Sequence, residues 1–398
     1  MLSDLAFHLA GAGFRVEVIT SRLHYNGQAS PLPSDETVEG VWVRRVWTSR
    51  FGRGSILGRA IDYTTFYVAV AIALARRASR GAVVVVKTDP PALSAIAAPV
   101  ARLKGAIVVN WLQDIFPEVA ARLGFGTVLA RAVYRPLKWA RDKALKLAAC
   151  NVVLGERMAS FIAGLGVNSE KVETIHNWAD AKVVRPIEPE DNPLRNEWGL
   201  EGKIVVGYSG NLGRAHDVAT LLGAIKALQA NSTPDALTSK VVWLFIGGGA
   251  NLRKLVDDAK HLGIGPILVR DYQPKEKLAE SLSAADVHIV SLRPELEGLI
   301  QPSKVYGVMA AGRPAIFVGD RDGETARLLA LHDCGLSVAE GECEALAAAV
   351  LRLASHSDER GRLGRNARLA FETHYDKSIA VARWQEVLER VARRTPKA

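Results

Sequence analysis

A parallel α/β architecture is what this sequence predicts, in two doubly wound halves facing a cleft. Three observations carry that expectation. Short runs rich in β-branched residues alternate with helical segments along nearly the whole chain, the rhythm of a parallel sheet covered by helices. That rhythm breaks between Asp180 and Gly202, where PIEPEDNP sets three prolines within eight residues, and it restarts at Lys203. Polar loops bearing glycine or proline follow several strands, and open α/β sheets bind ligands at those ends. A length of 398 residues agrees, being that of two domains of roughly 150–200 residues each. The expected division is residues 1–183, a linker over 184–202, a second domain over 203–374, and a closing helix over 375–398.

The elements follow from local pattern. Residues 3–13 read as a helix capped by Ser3, and Phe14–Ser21 alternates as a strand. A chain that enters on a helix and then a strand resembles a βαβ unit without its first strand. Val38–Thr48 is extended, 57–80 is a long helix, and AVVVVK at 82–87 is a strand closed by TDPP. A helix over 92–103, strand Ala106–Trp111, a basic helix over 127–148, strand Cys150–Gly155, a helix over 157–165 and strand Val172–His176 complete the first half. The second half reads as strands 203–209, 240–246, 266–269, 285–290 and 314–318. Helices over 217–230, 251–262, 275–284 and 303–312 alternate with them, and a helical block over about 357–395 ends the chain.

Bulk properties remove several classes. With 48% hydrophobic and 23% charged residues the chain folds. Cys150, Cys334 and Cys343 are three, far apart, and fit neither a disulfide framework nor a zinc spacing, which suits a reducing compartment. Met1–Ala10 carries Asp4 and no basic n-region, so no signal peptide is expected. The longest apolar run, TTFYVAVAIALA at 64–75, falls short of the ~20 residues a span needs. A net charge of +9 calls for an anionic partner.

Chemistry concentrates in the strand-end loops. GYSGNLGRAHD at 207–217 lets the backbone approach a ligand through Gly210 and Gly213, with Asn211 between them and Arg214 and His216 as sources of positive charge. FIGGG at 245–249 offers Gly247 and Gly248. SLRPELEGLIQPSKVYGVMAAG at 291–312 places Pro302 and Ser303 before a helix start and Lys304 in its first turn, which suits a phosphate. Glu295 and Glu297 in the same stretch could hold sugar hydroxyls. Each loop alone is no more than a tight turn, a solvated helix residue or a solvated carboxylate; three at strand ends of one half point to a nucleotide-sugar site. In the first half, QDIFPE at 113–118 sets Asp114 beside Trp111 and Phe116, an acceptor contact or an N-cap. Arg50, Arg53, Arg59, Arg76, Arg77 and Arg80 surround one aromatic-apolar stretch. Arg131, Arg135, Lys138, Arg141, Lys143 and Lys146 line a second. Both suit either an anionic membrane surface or a solvated helix face. HExxH, DxD, Cys/His metal spacings, the P-loop and the GxSxG elbow are all missing from the sequence, so a diphosphate falls to Arg, Lys and helix dipoles.

These stretches together resemble the family-four, GT-B-fold retaining glycosyltransferases, above all the branch that builds bacterial exopolysaccharide and lipopolysaccharide sugars. The likeness covers nearly the whole chain, and the PSK–MAAGRP block is its most specific part. It implies two Rossmann-like domains, the first binding the acceptor, the second the nucleotide sugar, with the last helix returning to the first domain through Trp384. Gly210, Asn211 and Gly213 would flank the diphosphate. The family's arginine falls at Asn211 and its lysine at His216, so Arg214 and Lys304 would replace that charge. Its two spaced glutamates fall at Leu299 and Gly307, leaving Glu295 or Glu297 for the ribose. Gly247, Gly248, Tyr272, Pro302 and Ser303 complete the donor set, and Asp114 stands nearest to the family's sugar-facing histidine. Members begin with a strand and glycine-rich loop before the helix that here starts at Ser3, so this reading frame is expected to start late.

The expected protein is a metal-independent retaining transferase with no cofactor. It would use UDP-sugar as donor, a lipid-linked sugar as acceptor and an anionic membrane surface as support. It would be cytoplasmic, peripheral on the inner face of the cell membrane, with no nucleic-acid partner. Its rivals are a nucleotide-sugar epimerase on the same fold and a non-catalytic basic protein binding membrane or nucleic acid.

Overall fold

The structure is a computed structural model that describes residues 1–23, 32–51, 56–124, 128–230 and 237–393, without the side chains of 56 and 128–132. Arg53 and the side chain of Arg131 therefore lie outside the described residues. The chain forms two compact units, Met1–Ile175 with Ala380–Ala398, and His176–Ile379.

The first unit runs α1 (Leu2–Gly11), β1 (Glu17–Ser21), β2 (Asp35–Val38), β3 (Val41–Val46), α2 (Ile56–Arg77), β4 (Val83–Lys87), α3 (Leu93–Leu103) and β5 (Ile107–Trp111). It continues through α4 (Glu118–Arg122), α5 (Val128–Leu147), β6 (Cys150–Val153), α6 (Glu156–Gly164) and β7 (Val172–Thr174). Its strands form two sheets. One has the order β1-β3-β2, with β1 and β3 parallel, and the other is the parallel series β4-β5-β6-β7. Ile19 of β1 and Val84 and Val86 of β4 nevertheless share one core with Val70 and Leu74 of α2 and Ala97 and Ala101 of α3.

Two local details differ from expectation. The extended stretch 38–48 holds the turn and second strand of an antiparallel hairpin of β2 and β3, turned at Glu39 and Gly40, both at positive φ. The cap of α1 is Met1, whose amino group lies 3.0 Å from the Asp4 carboxylate, and Ser3 sits inside the helix.

The second unit carries α7 (Pro193–Glu197), β8 (Ile204–Ser209), α8 (Ala219–Ala230), β9 (Val241–Ile246), α9 (Ala250–Leu262), β10 (Ile267–Arg270), α10 (Leu278–Ser283) and β11 (Val287–Ser291). There follow α11 (Lys304–Ala310), β12 (Ala315–Val318), α12 (Glu324–Leu331), β13 (Gly335–Val338), α13 (Cys343–Ser355), α14 (Ser357–Ala370) and α15 (Lys377–Arg393), the last passing into the first unit. One parallel sheet, β10-β9-β8-β11-β12-β13, holds this unit. The chain builds outward from β8 to β10, returns to β11 beside β8, and builds outward the other way. The strand order therefore reverses between β8 and β11.

The proline-rich stretch taken for a linker is built into this unit. Asn192 caps α7, Leu194, Trp198 and Leu200 pack against Val205 and Leu244, and Arg195 donates to Asp286 at 3.1 Å with both side chains buried. Pro189 and Pro193 start short helices there, at the position where proline is most at home. The helical block over 357–395 divides into α14 and α15, with Asp376 in extended backbone between them. Elements α12, β13 and α13 lie where no periodic pattern was read.

Within the first unit Trp384 of α15 is fully buried, its ring centroid 4.8 Å from that of Trp111. Trp384→Ala should lower the unfolding free energy by about 3–5 kcal/mol in chemical denaturation. A loss below about 1 kcal/mol would mean the helix adds little to that core.

Candidate active site

The glycine loops after β8 and β9 are zipped together by backbone. Gly210 N–H donates to Ile246 O at 2.8 Å, Leu212 N–H to Gly248 O at 2.7 Å, and Asn251 N–H to Leu212 O at 3.1 Å. The closeness requires glycine. A Cβ on Gly247 would stand 2.5 Å from Gly210 O, one on Gly249 2.4 Å from Leu212 O, and both residues take positive φ. Tyr272 follows β10, is 62% exposed, and its ring edge lies 3.0 Å from where a Gly247 Cβ would be. It forms an aromatic wall beside the Gly247–Gly248 backbone.

The loop after β11 joins the same knot. His216 donates from Nδ1 to Ser291 O at 2.6 Å, Asp217 N–H donates to Ser291 Oγ at 3.1 Å, and Arg293 N–H to Ala215 O at 3.0 Å. Three loops from the adjacent strands β9, β8 and β11 thus meet at the point where the strand order reverses. Helix α8 does not bring the N–H groups of Ala219 and Thr220 free into this space. Asp217 accepts from Ala219 N–H and Thr220 N–H, both at 3.0 Å, so its carboxylate already caps the helix.

Positive charge comes from elsewhere. Lys304, first residue of α11, donates from Nζ to Tyr208 Oη and stands 3.9 Å from the centroid of that ring. Burial pushes Lys304 down to about 7. Burial, and then the neighbouring Lys304, push His216 down to about 4, against the carbonyl of Ser291. At neutral pH His216 is therefore an uncharged imidazole, and the positive charge expected of it is missing. With Nδ1 committed to Ser291 O, its Nε2 is the acceptor. Tyr208, read in the sequence only as part of a glycine loop, is the hub. It is buried, its phenol is raised by burial and then by Tyr272, and its hydroxyl donates to Asn211 O at 3.2 Å.

The other expected donor residues take distinct places. Arg214 lies exposed in the turn between Gly213 and His216. Glu295 pairs with Arg293 at 2.7 Å, which also faces Glu340 at 3.9 Å. Glu297 accepts from Glu324 N–H at 2.8 Å and so caps α12, and a Cβ on Gly323 would come within 2.6 Å of it. Pro302 is buried and Ser303 exposed before α11, while Gln301 donates to Tyr306 Oη at 2.7 Å. Leu299 is buried, and Gly307 packs beside Leu282.

Asp114 belongs to the first unit. Thr88 Oγ1 accepts from Gln113 N–H at 2.9 Å and from Asp114 N–H at 3.4 Å, which sets the loop after β5 against that after β4. The residue is exposed at the surface, while neighbouring protein crowds its carboxyl. This desolvation raises it to about 6, opposed by Lys87 and helped by Asp89. Arg141, 4% exposed, clamps the same loop by donating to Glu118 Oε1 at 2.6 Å and Phe116 O at 3.0 Å. Sequence reading had placed Arg141 on a basic surface; in the structure it is a buried strut. Among the described residues no group of three or more His, Cys, Asp or Glu is arranged to hold a metal ion.

Comparison with known proteins follows the same lines. The family model described as glycosyl transferases group 1 matches residues 190–370, and that of the glycosyl transferase 4-like domain matches residues 1–178. The chain is 30% identical over 292 residues to the probable glycosyltransferase WbjE of Pseudomonas aeruginosa, covering 70% of this chain and 68% of that one. Among solved structures, sucrose-phosphate synthase from Thermosynechococcus elongatus superposes with a TM-score of 0.78 at 17% identity, over 99% of this chain and 93% of that one. WaaG, a glycosyltransferase involved in lipopolysaccharide biosynthesis, gives 0.69 at 15% identity over 98% and 94%. Anabaena HepE in complex with UDP-glucose gives 0.65 at 17% over 88% and 86%. At these identities the structures speak for the fold, which is GT-B. With both units matched by family models and a curated relative aligned across most of its length, this chain belongs to the group 1 glycosyltransferases.

Proposed function

We propose that this glycosyltransferase moves a sugar from a UDP-sugar to a lipid-linked glycan in cell-surface polysaccharide synthesis, with retention and without a metal. The observation that carries the donor half is the Lys304 ammonium held at the joined loops of β8, β9 and β11. A diphosphate placed there meets one side-chain cation, with Arg214 in the adjacent turn. As the sugar–phosphate bond lengthens, negative charge grows on the leaving oxygen, and fixed cations and N–H dipoles stabilise it more than they stabilise the donor. Tyr272 offers a flat face for a base, and the carboxylates of Glu295 and Glu297 are the nearest candidates for ribose hydroxyls. The UDP and UDP-glucose complexes of the similarly folded HepE support a uridine donor.

On the first unit, Asp114 is our candidate for orienting the acceptor hydroxyl, a role that needs its ionised form. An epimerase would need acid and base groups at the donor itself. At the joined loops Asp217 and Glu297 cap helices and Glu295 pairs with Arg293, commitments that favour transfer.

Support for a membrane role comes from a single helical layer. Helix α2 packs on α3, and α3 on α5. Helix α2 is long and apolar enough to cross a membrane, although its Val70, Ala73 and Leu74 are buried in the core. Leu57, Ile61, Val68 and Ile72 recur on its outer face at helical spacing, between 36% and 72% exposed. Trp47, Phe51, Leu103 and Trp139 are also exposed on this unit, Lys143 stands 5.1 Å over the Trp139 ring, and Arg76 flanks the α2 stripe. Apolar outer faces edged with cations fit an anionic lipid surface at the inner face of the cell membrane.

Three measurements test this reading. Calorimetric titration should show UDP binding in preference to ADP and GDP. Lys304→Ala should weaken it by about 1.5–3 kcal/mol, the size of a hydrogen bond to a charged group; UDP binding unmoved by the substitution would remove Lys304 from the donor site. Transfer rate should climb with a midpoint near pH 6 as the raised Asp114 carboxyl ionises, and Asp114→Asn should abolish that limb. A limb that survives in the variant would assign it to another group. Co-sedimentation should show binding to vesicles rich in phosphatidylglycerol and little to phosphatidylcholine. It should be lost in Ile61→Ser/Val68→Ser/Ile72→Ser; equal binding by this variant would remove α2 from the membrane face.

A further inference from the structure

Helix α11 starts without the device that starts its neighbours. Asn192 caps α7 and Asp217 caps α8, each with side-chain oxygen on backbone N–H groups, while Ser303 at the head of α11 makes no such bond. Two backbone bonds at that head are long, Val305 N–H to Pro302 O at 3.3 Å and Tyr306 N–H to Ser303 O at 3.2 Å. Yet the first residue of this helix is Lys304, whose ammonium has to land on the hydroxyl and ring of Tyr208.

The restraint is a clasp. Gln301 Nε2 donates to Tyr306 Oη at 2.7 Å, five residues on, and so closes the chain around Pro302, Ser303 and Lys304. Gln301 is buried, and its Oε1 has no partner among the described residues. A buried amide with an idle oxygen is costly, so the one bond its nitrogen makes is what the residue contributes. Tyr306 is fully buried, its ring centroid 5.2 Å from that of Tyr375 and 6.3 Å from that of His176. The Tyr375 ring stands edge-on to His176 at 5.3 Å, and its Oη meets His332 Nε2 at 3.0 Å. All of these residues belong to the second unit. A packed aromatic block thus fixes the Tyr306 oxygen, and that oxygen fixes Gln301.

We propose that Tyr306 is a positioning residue of the donor site: its hydroxyl holds Gln301, the closed turn sets where α11 begins, and Lys304 is thereby aimed at the joined loops. This deepens the reading of Lys304 as the cation that meets the diphosphate, and rests on it. Being fully buried, Tyr306 acts through Lys304 and not on the ligand. Displacing a fixed cation by about 1 Å is enough to weaken steeply what it holds. Without the hydroxyl, Gln301 either leaves its place or stays buried with its nitrogen unpaired, and both loosen the turn. The ring alone can pack, but it cannot hold Gln301.

A double-mutant cycle in the full-length enzyme, read as UDP affinity by calorimetry, tests this. Tyr306→Phe keeps the ring and removes the hydroxyl. In the wild-type background it should weaken UDP about threefold to tenfold, the equivalent of one neutral hydrogen bond. In the Lys304→Ala background the same change should move UDP affinity by less than about twofold, since the cation it positions is gone. Gln301→Leu should reproduce the loss, and Tyr306→Phe/Gln301→Leu should bind UDP no more weakly than the weaker single variant. UDP affinity unmoved by Tyr306→Phe, with Lys304→Ala still weakening it, would reduce Tyr306 to ring packing and overturn the proposal while the donor reading stands. Equal losses with and without Lys304 would also overturn it; a variant weakened only by partial unfolding would give that result. If Lys304→Ala leaves UDP binding unchanged, the donor reading itself fails and the proposal falls with it.

Discussion

The contact between the Lys304 ammonium and the face and hydroxyl of Tyr208 is the interaction on which the candidate site depends. It ties the start of α11 to the end of β8, two elements that meet only because the strand order reverses between β8 and β11. Tyr208 in turn holds Asn211 by its carbonyl, and so governs the loop whose backbone closes on Gly247 to Gly249. Replacing any of these partners would move a charge, a loop or a wall, not an isolated side chain.

A second constraint is that the helix ends near the site are already satisfied. Asp217 caps α8, Glu297 caps α12, and Glu295 is paired with Arg293. The side-chain charge nearest the joined loops is then that of Lys304, beside the backbone of the glycine loops. A site with so little permanent charge can bind its donor and release the spent diphosphate without a deep electrostatic trap. The first unit uses the opposite device. There a fully buried arginine, Arg141, fixes the loop that carries Asp114, and the desolvated carboxyl titrates near 6.

Much of this was legible in the sequence. Strand and helix alternation over Gly207–Asp217, Phe245–Gly249 and Ser291–Gly312 located the three loops, because period and punctuation are local properties. Resemblance then gave the family. What stayed hidden was non-local. Nothing in PIEPEDNP shows that Arg195, two residues later, will find Asp286 across the unit and draw the segment into the fold. Nothing in RAHD shows that His216 will be desolvated beside a lysine 88 positions away, so an expected cation became a neutral acceptor. Glu297 looked like a free loop carboxylate because α12, which it caps, had not been read from the sequence. The division of the first unit's strands into two sheets is likewise a pairing fact that no single strand carries.

The most direct test of the central claim is a crystal structure of the enzyme with UDP. The account predicts the diphosphate at the joined ends of β8, β9 and β11, with a phosphate oxygen within hydrogen-bonding distance of Lys304 Nζ and the base beside Tyr272. UDP found with its phosphates away from Lys304, and Tyr208 still its only polar partner, would contradict it.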